Sequence, residues 1–145
     1  MANNARINDM YTFGKISATD IGATRATSGY IDMSTAVDQI CVLCGVSSDY
    51  ADTAAIYTLS QSTSSAGAGE KDVASATLTL NAASETGAIN IKTDQLDIEN
   101  GFRYLKVDVS EAGNTASTDY AYAFVLAQSR YPRDNAMGVT ETDTI

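Results

Sequence analysis

Histidine and tryptophan are both missing from this chain of 145 residues, proline occurs once, cysteine twice, and lysine and arginine together only nine times. Without histidine the commonest general base is gone, no Ser-His-Asp or Cys-His pair exists, and most transition-metal sites lose a usual ligand. No Gly-x-Ser-x-Gly, Walker A or dinucleotide fingerprint occurs; Gly67-Ala68-Gly69 lacks the third glycine and the helix that the last of these needs. The basic residues are scattered and the formal net charge is −9, so the stripe of positive charge that nucleic acid or an anionic membrane requires is also lacking. We therefore expect no catalysis, no cofactor, no nucleic-acid partner and no membrane partner. No window approaches the ~20 apolar residues of a transmembrane helix and no signal peptide is recognisable, which places synthesis in the cytoplasm.

The two cysteines fall in Ile40-Cys41-Val42-Leu43-Cys44, a run of strand character. Residues three apart in a strand point to opposite faces and stand roughly 10 Å apart, too far for a disulfide. With no second pair and no histidine, the Cys-x-x-Cys spacing reads as two structural thiols.

What the chain does have is alanine, serine, threonine, glycine and a succession of short β-type runs. We expect strands over 30–33, 39–46, 55–61, 74–80, 88–93, 102–109 and 121–130, separated by turn-forming stretches at the spacing of a sandwich or barrel. In 76–80 apolar residues alternate with threonine, the pattern of a half-buried strand. Leu105, Val107 and Val109 mark the inner face of their strand, with Tyr104, Lys106 and Asp108 on the other. The last strand is apolar on both sides, Tyr120, Tyr122, Phe124 and Leu126 against Ala121, Ala123, Val125 and Ala127, which demands either a central position or burial by a partner. Asn100-Gly101 is a strong hairpin signal, because both central residues of a type I′ turn need positive φ. The Ser/Gly run at 62–70 reads as a long mobile loop. Pro132 closes the folded body. The expected organisation is an N-terminal arm or edge strand over 1–24, an antiparallel β-sandwich of jelly-roll type over 25–132, and an acidic tail over 133–145.

Three further features invite functional readings. Asp94, Asp97 and Glu99 lie close enough in sequence to suggest a glycosidase carboxylate pair, although the sugar platforms such a site wants are missing with tryptophan. Asp97-Ile98-Glu99-Asn100-Gly101 offers oxygen ligands near a tight turn, as calcium prefers, but without EF-hand spacing, so we expect no metal site. Eight tyrosines supply large amphipathic area, and Tyr11, Tyr50, Tyr104 or Tyr131 could anchor a protein interface.

The stretches Gln39-Ile40-Cys41-Val42-Leu43-Cys44-Gly45-Val46, Ala55-Ile56-Tyr57-Thr58-Leu59-Ser60-Gln61 with its Ser/Gly loop, Arg103-Tyr104-Leu105-Lys106-Val107-Asp108-Val109 and Ala123-Phe124-Val125-Leu126-Ala127-Gln128-Ser129-Arg130-Tyr131 resemble the cement or decoration proteins of tailed double-stranded DNA bacteriophages. The resemblance spans roughly residues 30 to 132. It implies a structural virion protein on the capsid exterior, a homotrimer at threefold or quasi-threefold positions that clamps the major capsid protein against internal pressure. The termini would be arms, with Tyr11, Phe13, Tyr131, Arg133, Met137 and Val139 as interface residues. A carbohydrate-binding or adhesin module of a tail or fibre is the second expectation, and a carboxylate hydrolase the third.

Overall fold

The computed structural model describes residues 11–21, 25–48, 54–111 and 120–130. Among these residues there is no α-helix, and nine strands make two antiparallel sheets. The strands are β1 (Tyr11–Asp20), β2 (Ala26–Thr27), β3 (Ile31–Asp32), β4 (Ala36–Val46), β5 (Ala55–Ser62), β6 (Lys71–Leu80), β7 (Thr86–Lys92), β8 (Tyr104–Glu111) and β9 (Tyr120–Ser129). One sheet has the order β1-β9-β4-β7; the other has β2-β8-β5-β6, with β3 also on β8.

The pairing follows one rule. Counting outward from the β5–β6 connection, β5 pairs with β6, β4 with β7, β2 and β3 with β8, and β1 with β9. Successive pairs fall alternately in the two sheets, so the chain is one long antiparallel hairpin rolled into a sandwich. The seams β4–β9 and β5–β8 close each sheet. This is the jelly-roll wrapping, and the expected all-β sandwich is what the chain forms. Of the two readings for the N-terminal stretch, residues 11–20 take the edge strand.

The core lies between the sheets because each strand puts alternate residues inward. β8 contributes Leu105, Val107 and Val109, β5 contributes Ala55, Tyr57 and Leu59, β4 contributes Ile40, Val42, Cys44 and Val46, and β9 contributes mainly alanines. Tyr57 is fully buried and its hydroxyl donates to the Gly45 carbonyl at 2.7 Å, a hydrogen bond that crosses from one sheet to the other. Cys41 and Cys44 do point to opposite sides: Cys44 is in the core and Cys41 is half-buried on the outside, both as free thiols.

Two local expectations are corrected. Asn100-Gly101 is not a hairpin turn, since β7 and β8 belong to different sheets; Gly101, at φ +86°, instead ends a 3-10 turn over Ile98–Asn100, using the same left-handed freedom for a cap. The Ser/Gly run is not a free loop either. Its own hydroxyls organise it: Ser62 Oγ donates to Ala68 O at 2.8 Å, and Ser64 Oγ accepts from the N–H groups of Ala66 and Ala68 at 3.2 and 3.1 Å. Gly67, at φ +86°, lets the Tyr30 ring lie against it, and a Cβ there would stand 2.6 Å from the Tyr30 hydroxyl. Left-handed strain and the clash act together, so Gly67→Ala is expected to cost about 1–3 kcal/mol. Urea unfolding checks this: the midpoint falls while the m-value stays constant.

Candidate functional site

The outer faces of the two sheets differ in kind. On the β2-β8-β5-β6 sheet the outward residues are polar and tied to one another. Lys106 Nζ lies 2.6 Å from Glu70 Oε1 and 3.1 Å from Asp108 Oδ2, and Arg25 Nη2 lies 2.5 Å from the same Asp108 oxygen. Tyr30 donates to the other oxygen of Glu70. Asp108 is 5 % exposed, so this network neutralises a buried carboxylate and fastens the 63–70 loop and the β2–β3 connection onto the sheet. The hydrogen bond from Lys106, then that from Tyr30, pulls the Glu70 carboxyl down to about 2. Beside the network is a shallow depression of about 400 Å³ lined by Arg25, Thr27, Gly29, Tyr30, Lys106 and Asp108.

The β1-β9-β4-β7 sheet presents an apolar outer face. Register places Phe124 beside Leu43 and Leu43 beside Ala88, Leu126 beside Cys41, and Tyr122 beside Gly45. Tyr122 and Phe124 form a tilted pair with ring centroids 6.1 Å apart. Gly45 makes room for this arrangement: a Cβ on it would stand 2.2 Å from the Tyr122 hydroxyl. At one end Leu126 and Thr12 are buried; toward the other, Leu43 is 39 % and Tyr120 44 % exposed and Ala88 is exposed too. Large apolar side chains open to solvent on one contiguous strand face are the mark of an interaction surface.

Register also puts charged residues on this face, Asp20 among them, opposite Tyr120. Among the described side chains that register puts here, Lys15 stands beside Phe124 and Lys92 beside Gln39. Arg25, Lys71, Arg103 and Lys106 are all paired with carboxylates elsewhere, whereas among the described residues Lys15, Lys92 and Arg130 enter no ion pair. Two of these three are on the face and the third directly follows β9. Asp94, in the turn after β7, is the carboxylate nearest Lys92 along the chain, and Asp38, in a bulge of β4, precedes its register partner Gln39; neither pairs with it.

The chemical candidates take other roles. Asp97 accepts from Lys71 Nζ at 2.5 Å on one oxygen and from Asn100 Nδ2 at 2.7 Å on the other, and Lys71 first, then Asn100, holds its carboxyl below the usual range. A glycosidase acid needs the opposite shift, and calcium would have to displace the lysine. Among the described residues no group of three or more Cys, Asp or Glu side chains is placed to hold a metal ion. Burial raises the Cys41 thiol and pushes Cys44 up to about 12, so neither supplies a thiolate at neutral pH.

Of the interface residues named from the sequence, Phe13 belongs to the core cluster at 9 % exposure, where its ring serves packing. Tyr11 opens β1 opposite Ala127, but its side chain lies outside the described residues, as do Tyr131, Arg133, Met137, Val139 and Tyr50. Tyr104 is half-buried on the polar sheet, its hydroxyl accepting from Arg103 at 2.9 Å. The doubly apolar character of β9 pointed to the exposed face; the contribution of Leu43 did not stand out. The signal was there, since β4 also carries apolar residues on both sides. No family model matches the chain, and no curated protein matches it.

Proposed function

We propose that this chain is a structural protein that binds other protein surfaces, a capsid cement protein of a tailed phage acting as a homotrimer on the outside of the shell. The observation that carries the protein-binding reading is the exposed apolar face around Leu43, Tyr120, Tyr122 and Phe124 on a chain of net charge −9. The capsid assignment rests on the resemblance of its strand and loop stretches to the cement proteins.

Size supports the trimer. Four strands about 4.8 Å apart and about seven residues long present roughly 450 Å² of sheet, well under the ~800 Å² per partner of a stable interface. One copy would bind weakly. Three joined copies would raise the effective concentration of each contact and turn weak docking into stable attachment.

The test mixes the purified protein with phage heads assembled without it, then sediments the heads and counts bound copies. Saturable binding at a threefold-site ratio, with heads that then resist heat, supports the reading; absence of binding rejects it. Leu43→Asn, at an exposed position, is expected to leave stability within about 0.5 kcal/mol and to weaken head binding tenfold or more, as an interface anchor does.

A saccharide-binding reading has one observation in its favour, the depression beside Tyr30 and Asp108 on the opposite sheet. Binding on a glycan array that is lost in Tyr30→Ala while Leu43→Asn binds normally would establish it in place of the cement reading.

A further inference from the structure

β8 carries Leu105, Val107, Val109 and Glu111 on its inner side, and its pairing with β5 keeps one register from Tyr104 to Glu111. The strand therefore turns a carboxyl group toward the interior at its last position, opposite the fully buried Ala55. Both Glu111 carboxyl oxygens are shut away from solvent, and neither has a hydrogen-bond partner. A charge there would lose its water and gain nothing in return, whereas the neutral acid costs far less to bury. We infer that Glu111 is built into the sandwich as the uncharged acid and acts as a proton-sensitive switch: losing the proton weakens the end of the fold where β8 meets the start of β5.

Among the described residues no base is placed to hold the charged form. Arg25 and Lys106 meet Asp108 on the outer side of β8, and Lys71 and Arg103 are committed to Asp97 and Asp32. Lys15 is exposed beside Phe124 on the other sheet. Lys92 and Arg130 belong to the opposite end of the sandwich, beside Gln39 and Thr35. The remaining two, Arg6 and Arg133, lie outside the described residues. The stretches 22–24, 49–53 and 112–119, which join strands at this end, contain Asp49, Asp52 and Asp119 but no lysine, arginine or histidine. On the inner faces the described titratable groups are Tyr57 on β5 and Cys44 on β4, and burial keeps both protonated. Glu85, just before β7, is already satisfied by the N–H groups of Asn81 and Ala82 at 2.5 and 3.0 Å.

The sign of the pH effect follows. Above the ordinary glutamate value of 4.5, and until the folded chain gives up this proton, the folded state binds one proton more than the unfolded state. Stability falls as pH rises through that window, and the folded-to-unfolded ratio drops about tenfold per pH unit relative to a chain without the group.

The experiment compares the full chain with Glu111→Gln, which keeps the shape of the neutral acid, and Glu111→Met, which removes its polar head. In urea unfolding with EDTA present, the parent should lose at least tenfold in folded-to-unfolded ratio against both variants as pH rises from about 4.5 to 7.5. A gap that stays constant with pH overturns the inference. The carbon-13 resonance of the Glu111 carboxyl, assigned in the parent, reads the proton without any substitution: its titration midpoint should lie above 4.5, and a midpoint at or below that value overturns the inference. Repeating the titration with millimolar calcium in place of EDTA closes the remaining route. An unchanged midpoint supports the proton switch; a midpoint brought down to the ordinary value makes Glu111 a cation ligand, and the inference fails. None of these readouts involves a partner, so the cement reading stands or falls separately.

Discussion

Tyr57→Ala is expected to remove about 3–5 kcal/mol of folding stability, and Tyr57→Phe about 1–2 kcal/mol. The alanine figure combines lost transfer energy with the cavity left between the sheets. The phenylalanine figure isolates the hydroxyl, which donates to Gly45 O at 2.7 Å from a fully buried position and whose loss leaves that side of the carbonyl unmet. Burial also pushes the phenol ionisation upward, so the donor persists throughout the neutral and mildly alkaline range. Thermal unfolding separates the two variants: for a domain of this size each kcal/mol moves Tm by roughly 2–4 °C. A Tyr57→Phe variant as stable as the parent would show that packing, and not the bond between sheets, is the whole contribution.

Lys106→Met is expected to cost about 2–3 kcal/mol. The methionine replaces most of the stem, so the loss is electrostatic: Asp108, its side chain 7 % exposed, keeps only Arg25, whose own side chain is 59 % exposed. Removing one member of a buried pair strands the other charge, and the exposed arginine is screened by water. Adding Asp108→Asn should therefore recover part of the loss; simple additivity would mean the two side chains act independently.

The pH dependence of that difference has a definite sign. Glu70 is held near 2 in the folded chain against an ordinary value of 4.5, so its contribution is present above about pH 4.5 and disappears as pH falls toward 2. For Lys106 burial alone lowers the ammonium, but hydrogen bonds to Glu70 and Asp108 outweigh it and leave the group raised above 10.5. Its contribution is present at lower pH and disappears as pH rises through the folded value. The stability gap between parent and Lys106→Met should be flat across neutral pH and shrink at both extremes. A gap that widens in acid would contradict this assignment.

The strands were legible wherever one face was plainly apolar and the other plainly polar, as in Leu105, Val107 and Val109 against Lys106 and Asp108. Boundaries moved by one to three residues, and β1 and β2 were not separately recognised. The two-residue β2 is too short to show any period, and β1 carries two irregularities against β9 that scramble its alternation. The Asn100-Gly101 signal was read for the wrong turn because positive φ serves a cap as well as a hairpin. The polar network was not legible at all: residues 25, 30, 70, 106 and 108 meet only after rolling brings three separate segments onto one sheet. The exposed face was half legible, from β9 alone, because its other members come from strands that only the topology makes neighbours.

The pairing of β1 with β9 has a consequence in time. Tyr11 meets Ala127, so a chain emerging from the ribosome cannot complete the sheet that holds β1 until β9 has left the exit tunnel. β9 is also the centre strand that joins β1 to β4. Until it arrives, β1 has no partner in its sheet and the outward side of β4 lacks its neighbour. Such long-range closure makes folding slow and leaves apolar strand edges open meanwhile. A nascent chain stalled before Tyr120 should therefore be a substrate for chaperones, while the released chain buries the same edges within itself.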